Sequence, residues 1–269
     1  MRTAVITPVS GRHGHLRAQS ASLHRGDAAP DTYVVVAMGD PEVDAVVPDA
    51  EVLHVPLDTG GRLPLAGARN AGVAHARSLG AELLVLLDVD CLAGPRLLTR
   101  YQQAARQQPG SVLCGPVGYL PPAPPGGYPP DRLQELARPH PARPVPPEDE
   151  LMAASDVALF WSLSFALTVG TWERLGGFHP GYTGYGAEDT DFGQLIARSG
   201  TPMWWVGGAW AYHQHHGEPG PPVRHLDDIL RNGALFARRW GWWPMLGWLE
   251  SFAAEGLVRQ DAAGGWVRT

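Results

Sequence analysis

Three groups of polar residues in this chain have types and spacings that could do chemistry. The first is the pair Asp88 and Asp90 in LLVLLDVDCLAGP (83–95), where an aliphatic run meets two carboxylates one residue apart. In an extended segment both side chains fall on one side, because side-chain direction alternates with a period of two. Carboxylates so close raise each other's pKa unless a cation sits with them. A divalent metal carrying a phosphorylated ligand meets that need, since Mg2+ or Mn2+ takes carboxylate oxygens and completes its shell with phosphate oxygens. The same acids also suit a helix N-cap or a solvated turn, and their spacing alone leaves the choice open.

The second group is GYGAEDTDFGQLIARSG (184–200). Phe192, Leu195 and Ile196 keep the spacing of one helix face and Gly200 ends it, so Glu188, Asp189 and Asp191 stand in or before the first turn. Acids there offset the helix dipole. The surrounding glycines let a ligand approach the backbone closely, and a general base poised over a substrate hydroxyl also fits. The third group is AWAYHQHHGEPGPP (209–222), with His213, His215 and His216 after an apolar run. Histidines at a strand end, in a chain already holding a carboxylate pair, point to metal ligation. His213 and His215 share one side of an extended chain, so spacing does not choose between them.

These groups need elements to hold them. Runs rich in β-branched and aliphatic residues predict strands over Arg2–Thr7, Thr32–Ala37, Glu51–Val55, Glu82–Leu87 and Ser111–Cys114, each bounded by Gly, Pro or Asp. Between the third and fourth, Leu65, Ala68, Gly72, Ala76 and Leu79 keep helical spacing and Gly80 suits a C-terminal cap. Strands alternating with helices imply an α/β fold with a mostly parallel sheet covered on both faces, and ligands collect at the carboxyl ends of such strands. From Gly118 to Glu150 the chain carries eleven prolines, which predicts a long irregular loop with a turn near Leu133–Ala137. Beyond it MWWVGGAWAYH reads as one strand, and a Trp-rich helical tail starts at Leu226.

The 269 residues are enough for one elaborated domain, and their 44% apolar and 18% charged content is that of a globular protein. No run is long and apolar enough to span a bilayer and no signal peptide opens the chain, so a cytoplasmic location is expected. Net charge is −6, and the 21 basic residues are all arginine, which argues against a nucleic-acid surface. Cys91 and Cys114 show no metal spacing and read as core thiols. Most of the tryptophans read as core packing, with a sugar-facing role as the alternative.

Taken together, ITPVSGR (6–12), GARNAGVAHA (67–76), LLVLLDVDCL, LGGFHPGYTGYGAEDTDFGQLIARSG (175–200) and YHQHH resemble the family-2 glycosyltransferases of GT-A fold. The C-terminal part is similar to β-1,4-galactosyltransferases and polypeptide N-acetylgalactosaminyltransferases. The resemblance implies a Rossmann-like, mostly parallel sheet with helices on both faces, a small second sheet and C-terminal helices. It divides the chain into a nucleotide-sugar-binding half (1–117), the Pro-rich loop (118–150), an acceptor and catalytic half of the same domain (151–225) and a helical tail (226–269).

It also implies roles. Asp90 matches the metal ligand, with Asp88 nearer the ribose or the metal's waters, and His213 (His215 as alternative) completes the Mn2+ or Mg2+ site. Thr7, Pro8, Ser10 and Arg12 match the loop that cradles the uridine, Asp40 an acid at the base, and Arg69 and Asn70 an element near ribose and diphosphate. Asp189 matches the catalytic base, Glu188 its neighbouring acid, and Tyr185 an aromatic near the acceptor. The implied activity is inverting transfer of a sugar from a nucleotide sugar, expected to be UDP-linked, to an acceptor hydroxyl, with the loop after His213 closing over the donor. A nucleotide-sugar hydrolase or a binding module on the same scaffold are the alternatives. A sugar-1-phosphate nucleotidylyltransferase is disfavoured, because PVSGRHGHLRAQS has neither its glycine spacing nor a lysine.

Overall fold

The aliphatic runs form strands where the sequence places them. In the computed structural model, which describes residues 1–216 and 222–269, β1 (Thr3–Val9), β2 (Thr32–Met38), β3 (Glu51–Val55) and β4 (Leu83–Leu87) pair in parallel in the order β3-β2-β1-β4. Their connections are α1 (His13–Arg25), the single turn α2 (Val43–Val46) and α3 (Leu65–Ser78). Ile6, Leu84 and Leu86 pack into the core on one face of the sheet, whereas Val5, Val85 and Leu87 pack into the core on the other. Burial on both faces is why these strands read as unbroken aliphatic runs. Each such side chain contributes about 1.5–3 kcal/mol.

The chain then builds two sheets at once. β5 (Cys91–Ala93), α4 (Leu97–Gln107), β6 (Val112–Cys114) and β7 (Val117–Tyr119) follow, then α5 (Leu133–Leu136), β8 (Arg138–Pro139), β9 (Leu151–Ala153) and β10 (Ser164–Thr168). After them come α6 (Val169–Leu175), α7 (Glu188–Ser199), β11 (Met203–Val206) and β12 (Ala211–His213). Antiparallel β10 joins β4 to β6, and β11 and β9 complete an eight-stranded sheet, β3-β2-β1-β4-β10-β6-β11-β9. The smaller sheet runs β5-β12-β7-β8. The tail forms α8 (Leu226–Trp240), α9 (Leu246–Ala254) and a hairpin of β13 (Val258–Gln260) and β14 (Trp266–Arg268).

Three expectations are corrected. MWWVGGAWAYH is two strands: Gly208 takes φ +81° and the chain passes from the large sheet to the small one. Asp88–Asp90 is not extended but a turn between β4 and β5, closed by the Cys91 amide donating to Asp88 O at 2.8 Å. The Pro-rich segment is not irregular throughout. Its β8 pairs with β7, and Leu120, Leu133 and Ala137 pack with Leu92 and Tyr212 in a small core of their own. Further along it Arg143 is buried, 5.2 Å from the Trp161 ring and 4.9 Å from the Trp205 ring.

α3 lies unusually close to the sheet. A Cβ at Gly72 would come within 2.5 Å of Ile6 Cγ2 and 2.8 Å of Val36 Cγ2, so only glycine permits the approach. Arg69 stands one turn earlier on the same helix, and its guanidinium is thereby carried under the carboxyl end of β4. Both cysteines are buried free thiols, and no helix among the described residues is long and apolar enough to cross a membrane.

Candidate active site

The carboxyl ends of β1 and β4, the β4–β5 turn, the end of β12 and the N-terminus of α7 meet at one edge of the large sheet. Arg69 is the hub. It is 1% exposed, donates from Nη2 to Asp88 Oδ1 at 2.8 Å and from Nη1 to Glu188 Oε1 at 3.3 Å, and packs 5.1 Å from the Phe178 ring. Burial pushes the Asp88 carboxyl up; Arg69 opposes this and the neighbouring Asp90 adds to it, leaving Asp88 above the usual carboxylate range. The repulsion expected between Asp88 and Asp90 is thus divided between separate cationic partners.

Asp90 faces the other way. Arg12 Nη1 donates to its Oδ2, His216 Nε2 lies 2.8 Å from that oxygen and His213 Nε2 3.6 Å. Burial would raise its pKa, but the His216 hydrogen bond and the nearby His213 and Arg12 hold it well below the usual range. One ligand atom from each of Asp90, His213 and His216 lies within 4.8 Å of the others. A carboxylate with two imidazoles suits Mn2+ better than Mg2+, which prefers an all-oxygen shell. His215, the alternative to His213, is not in this cluster: its amide donates to Tyr128 Oη at 3.0 Å, and the histidine that joins His213 there is His216. The chain leaves strand geometry at His213, so alternation stops two residues too early to bring His215 back. Residues 217–221, part of the loop expected to close over the donor, lie outside the described residues.

α7 begins on Ala187, a non-glycine residue at φ +72°, just as α1 begins on Arg12 at φ +51°. Left-handed non-glycine residues are enriched where strain serves a site. Asp189 follows, with its Oδ1 accepting from the Thr190 amide at 2.7 Å. Burial and the adjacent Glu188 push its pKa up to about 7. Asp191 is different: fully buried, it accepts from Tyr182 Oη (3.0 Å), Arg239 Nε (2.7 Å) and Trp240 Nε1 (2.7 Å) and moors α8 to α7. Tyr185 is 38% exposed, stacked 4.5 Å from His225 and 5.9 Å from Trp248.

The remaining expected contacts are less available. Thr7 is buried with Oγ1 2.9 Å from both Gln19 Oε1 and Leu87 O, and Pro8 is buried within β1, while Ser10 and Arg12 reach the surface. Asn70 spends much of its amide on Phe178, donating to its carbonyl at 2.8 Å and accepting from its amide at 2.9 Å, so it ties α3 to the glycine loop. Asp40 accepts from the Gly11 amide and lies 2.8 Å from His13 Nε2, bracing the loop after β1. Sequence reasoning did not single out Asn232, whose Nδ2 donates to Thr183 O, Tyr185 O and Gly186 O, or Asp228, whose Oδ2 accepts from the Tyr185 amide. The i, i+4 spacing of Asp228 and Asn232, with Arg239 two turns further on, was the available signal.

A family model described as the N-terminal domain of galactosyltransferase matches residues 149–216. Among curated proteins, validoxylamine A glucosyltransferase of Streptomyces hygroscopicus subsp. limoneus is 28% identical over 248 residues, covering 79% of this chain. Its counterpart from subsp. jinggangensis is 27% identical. The alignments cover 51% and 55% of those proteins, so the chain spans about half the length of the curated relatives it matches. Among solved structures, GalNAc-T7 with UDP, GalNAc and Mn2+ superposes with a TM-score of 0.59 at 15% identity, over 82% of this chain and 45% of that one. S. aureus TarS in complex with UDP-GlcNAc gives 0.57 at 14%, over 88% and 67%. The fold is that of the GT-A glycosyltransferases, and over residues 149–216 the chain is similar to the N-terminal domain of galactosyltransferase.

Proposed function

We propose that the chain is a metal-dependent inverting glycosyltransferase that moves a sugar from a UDP-sugar to a hydroxyl on a small molecule, peptide or glycan. The observation that carries this reading is Arg69, whose single buried guanidinium joins the acid of the β4–β5 turn to the acid at the start of α7. A donor side and a catalytic side far apart in sequence are thereby held as one site. The UDP and UDP-GlcNAc in the neighbouring structures support the donor class.

Asp189 takes the proton of the acceptor hydroxyl as its oxygen bonds to the anomeric carbon, and the bond from that carbon to the diphosphate breaks with the electron pair leaving on the nucleotide. A carboxylate whose pKa lies near neutrality suits this step, because a weaker base would not hold the proton at working pH. Asp90, His213 and His216 would hold the metal, which when bound supplies positive charge to the departing diphosphate. Arg12, now on Asp90, is placed to turn to the same diphosphate.

A nucleotide-sugar panel read by thermal shift with and without Mn2+ tests the donor and the metal. Metal-dependent stabilisation by UDP or a UDP-sugar is expected, and its absence from every nucleotide would overturn the reading. The anomeric configuration of the product, read by NMR, tests inversion. Release of free sugar with no transfer to any acceptor would favour the hydrolase.

A further inference from the structure

We propose that Gln19, on the buried face of α1, is a positioning residue that sets the turn carrying Asp88 and Asp90, an inference that rests on the metal and donor roles proposed for those acids. Gln19 is fully buried and every polar position of its amide is used. Nε2 donates to Asp88 O at 2.6 Å and to Cys91 O at 2.9 Å. Oε1 accepts from Tyr33 Oη at 2.7 Å and lies 2.9 Å from Thr7 Oγ1. One turn on, Ser22 Oγ accepts from the Ala93 amide at 2.8 Å and donates to Gln19 O at 2.6 Å.

The need for these bonds follows from the sheet. Among the described residues β5 is the edge of the small sheet, paired only with β12 in the register Cys91–His213, Leu92–Tyr212 and Ala93–Ala211. Its second edge and the turn before it face α1, where buried carbonyls have no strand to pair with. Gln19 and Ser22, three residues apart and so on one helix face, stand in for that strand. The turn is then held on both sides, since on the β12 side the Gln214 amide donates to Asp90 O at 2.7 Å. The direction in which each acid leaves the backbone is set there: Asp88 toward Arg69, Asp90 toward Arg12, His213 and His216. α1 therefore supplies both the cation on Asp90, from Arg12 at its start, and the bracket that aims Asp90.

The test compares Gln19→Met and Gln19→Glu with Gln102→Met, which removes an amide of the same type on α4 that donates to Thr3 Oγ1 far from the turn. Glu keeps the two acceptor positions and loses the donors to the carbonyls. Mn2+ alone is titrated first. Both Gln19 variants are expected to bind it about tenfold or more weakly, the scale of losing a group that orients a ligand. The donor KM should rise with them, while kcat at saturating metal and donor stays within about threefold, and Gln102→Met should change neither. Hydrogen exchange should quicken over residues 83–95 and not elsewhere. Unchanged Mn2+ affinity and exchange, or losses matched by Gln102→Met, would overturn the proposal. Should the wild type itself take up no Mn2+, the metal reading fails, and exchange over 83–95 alone then decides whether Gln19 holds the turn.

Discussion

Arg69 and Asp88 meet at 2.8 Å, a buried guanidinium on α3 against an acid at the end of β4, and the other arm of the guanidinium reaches Glu188 on α7. Removing Arg69 leaves the largely buried Glu188 and the partly exposed Asp88 without their shared cation. Arg69→Met is expected to lower stability by about 3–5 kcal/mol, the scale for breaking a buried pair from one side. For a chain of this size that corresponds to roughly 10 °C in Tm. Arg69→Lys should recover part of the stability but not the donor KM, because a single ammonium cannot bridge both acids. Calorimetry together with donor titration separates the two effects.

The raised pKa of Asp189 has two consequences of opposite value. As a base it acts only when ionised, so kcat/KM should rise with pH and level off above about 7. For stability the sign is reversed. A carboxyl with a folded pKa above its unfolded one stabilises the fold while protonated, and that contribution is lost as pH rises from about 4 through 7. Asp189→Asn should therefore melt a few degrees higher than wild type at pH 8, match it near pH 4, and carry no transfer activity while still binding nucleotide. Melting curves at the two pH values check the first part, and donor titration the second.

The metal cluster allows a choice among the three histidines. His213→Ala and His216→Ala are each expected to weaken Mn2+ binding by tenfold or more, and His215→Ala to leave it within about twofold. Asp90→Asn should be the most severe, since it removes the only carboxylate in the set and also the partner of Arg12. Isothermal titration with Mn2+ alone distinguishes these variants, and a loss confined to His215→Ala would contradict the assignment.

The large sheet was legible because doubly buried strands are continuous aliphatic runs, and α3 and α7 because their apolar residues keep helical spacing. What stayed hidden depended on partners remote in sequence. Asp88–Asp90 has the spacing of an extended pair, and only the bracket from Gln19 and β12 shows it to be a turn. Gly207 and Gly208 inside an apolar run were the signal that one strand is two. Asn70 sits in a motif expected to face the donor, yet its amide matches the Phe178 backbone, a contact 108 residues away that no local pattern announces. His216 was visible as one of three candidate histidines but could not be preferred as a ligand, because the β12 strand ends at His213 and its alternation with it.

Arg143 gives a prediction about the Pro-rich segment. Its three guanidinium nitrogens are buried without a hydrogen-bond partner among the described residues, and only the Trp161 and Trp205 rings face the charge. Two cation–π contacts return about 2 kcal/mol each when desolvated, which offsets the burial of the ion but not the further cost of about 1–3 kcal/mol for each unpartnered guanidinium nitrogen. Arg143→Met should therefore raise Tm by a few degrees in calorimetry. A drop would mean that the stacked arginine holds the segment in place better than an apolar chain of similar length.

The three acids of the α7 start can be told apart by substitution, because their surroundings differ more than their spacing does. Asp189 has one backbone hydrogen bond and a raised pKa, Glu188 leans on Arg69, and Asp191 is wholly buried under Tyr182, Arg239 and Trp240. Asp191→Ala leaves a guanidinium, an indole N–H and a phenol without their acceptor, and should destabilise by about 3–5 kcal/mol. What remains folded at low temperature should nevertheless turn over at close to the wild-type rate. Asp189→Asn should do the reverse, folding well and transferring nothing. Equal losses of kcat per folded molecule in the two variants, with folded fraction read by circular dichroism, would mean that Asp191 acts in the chemistry and that its mooring of α8 is incidental.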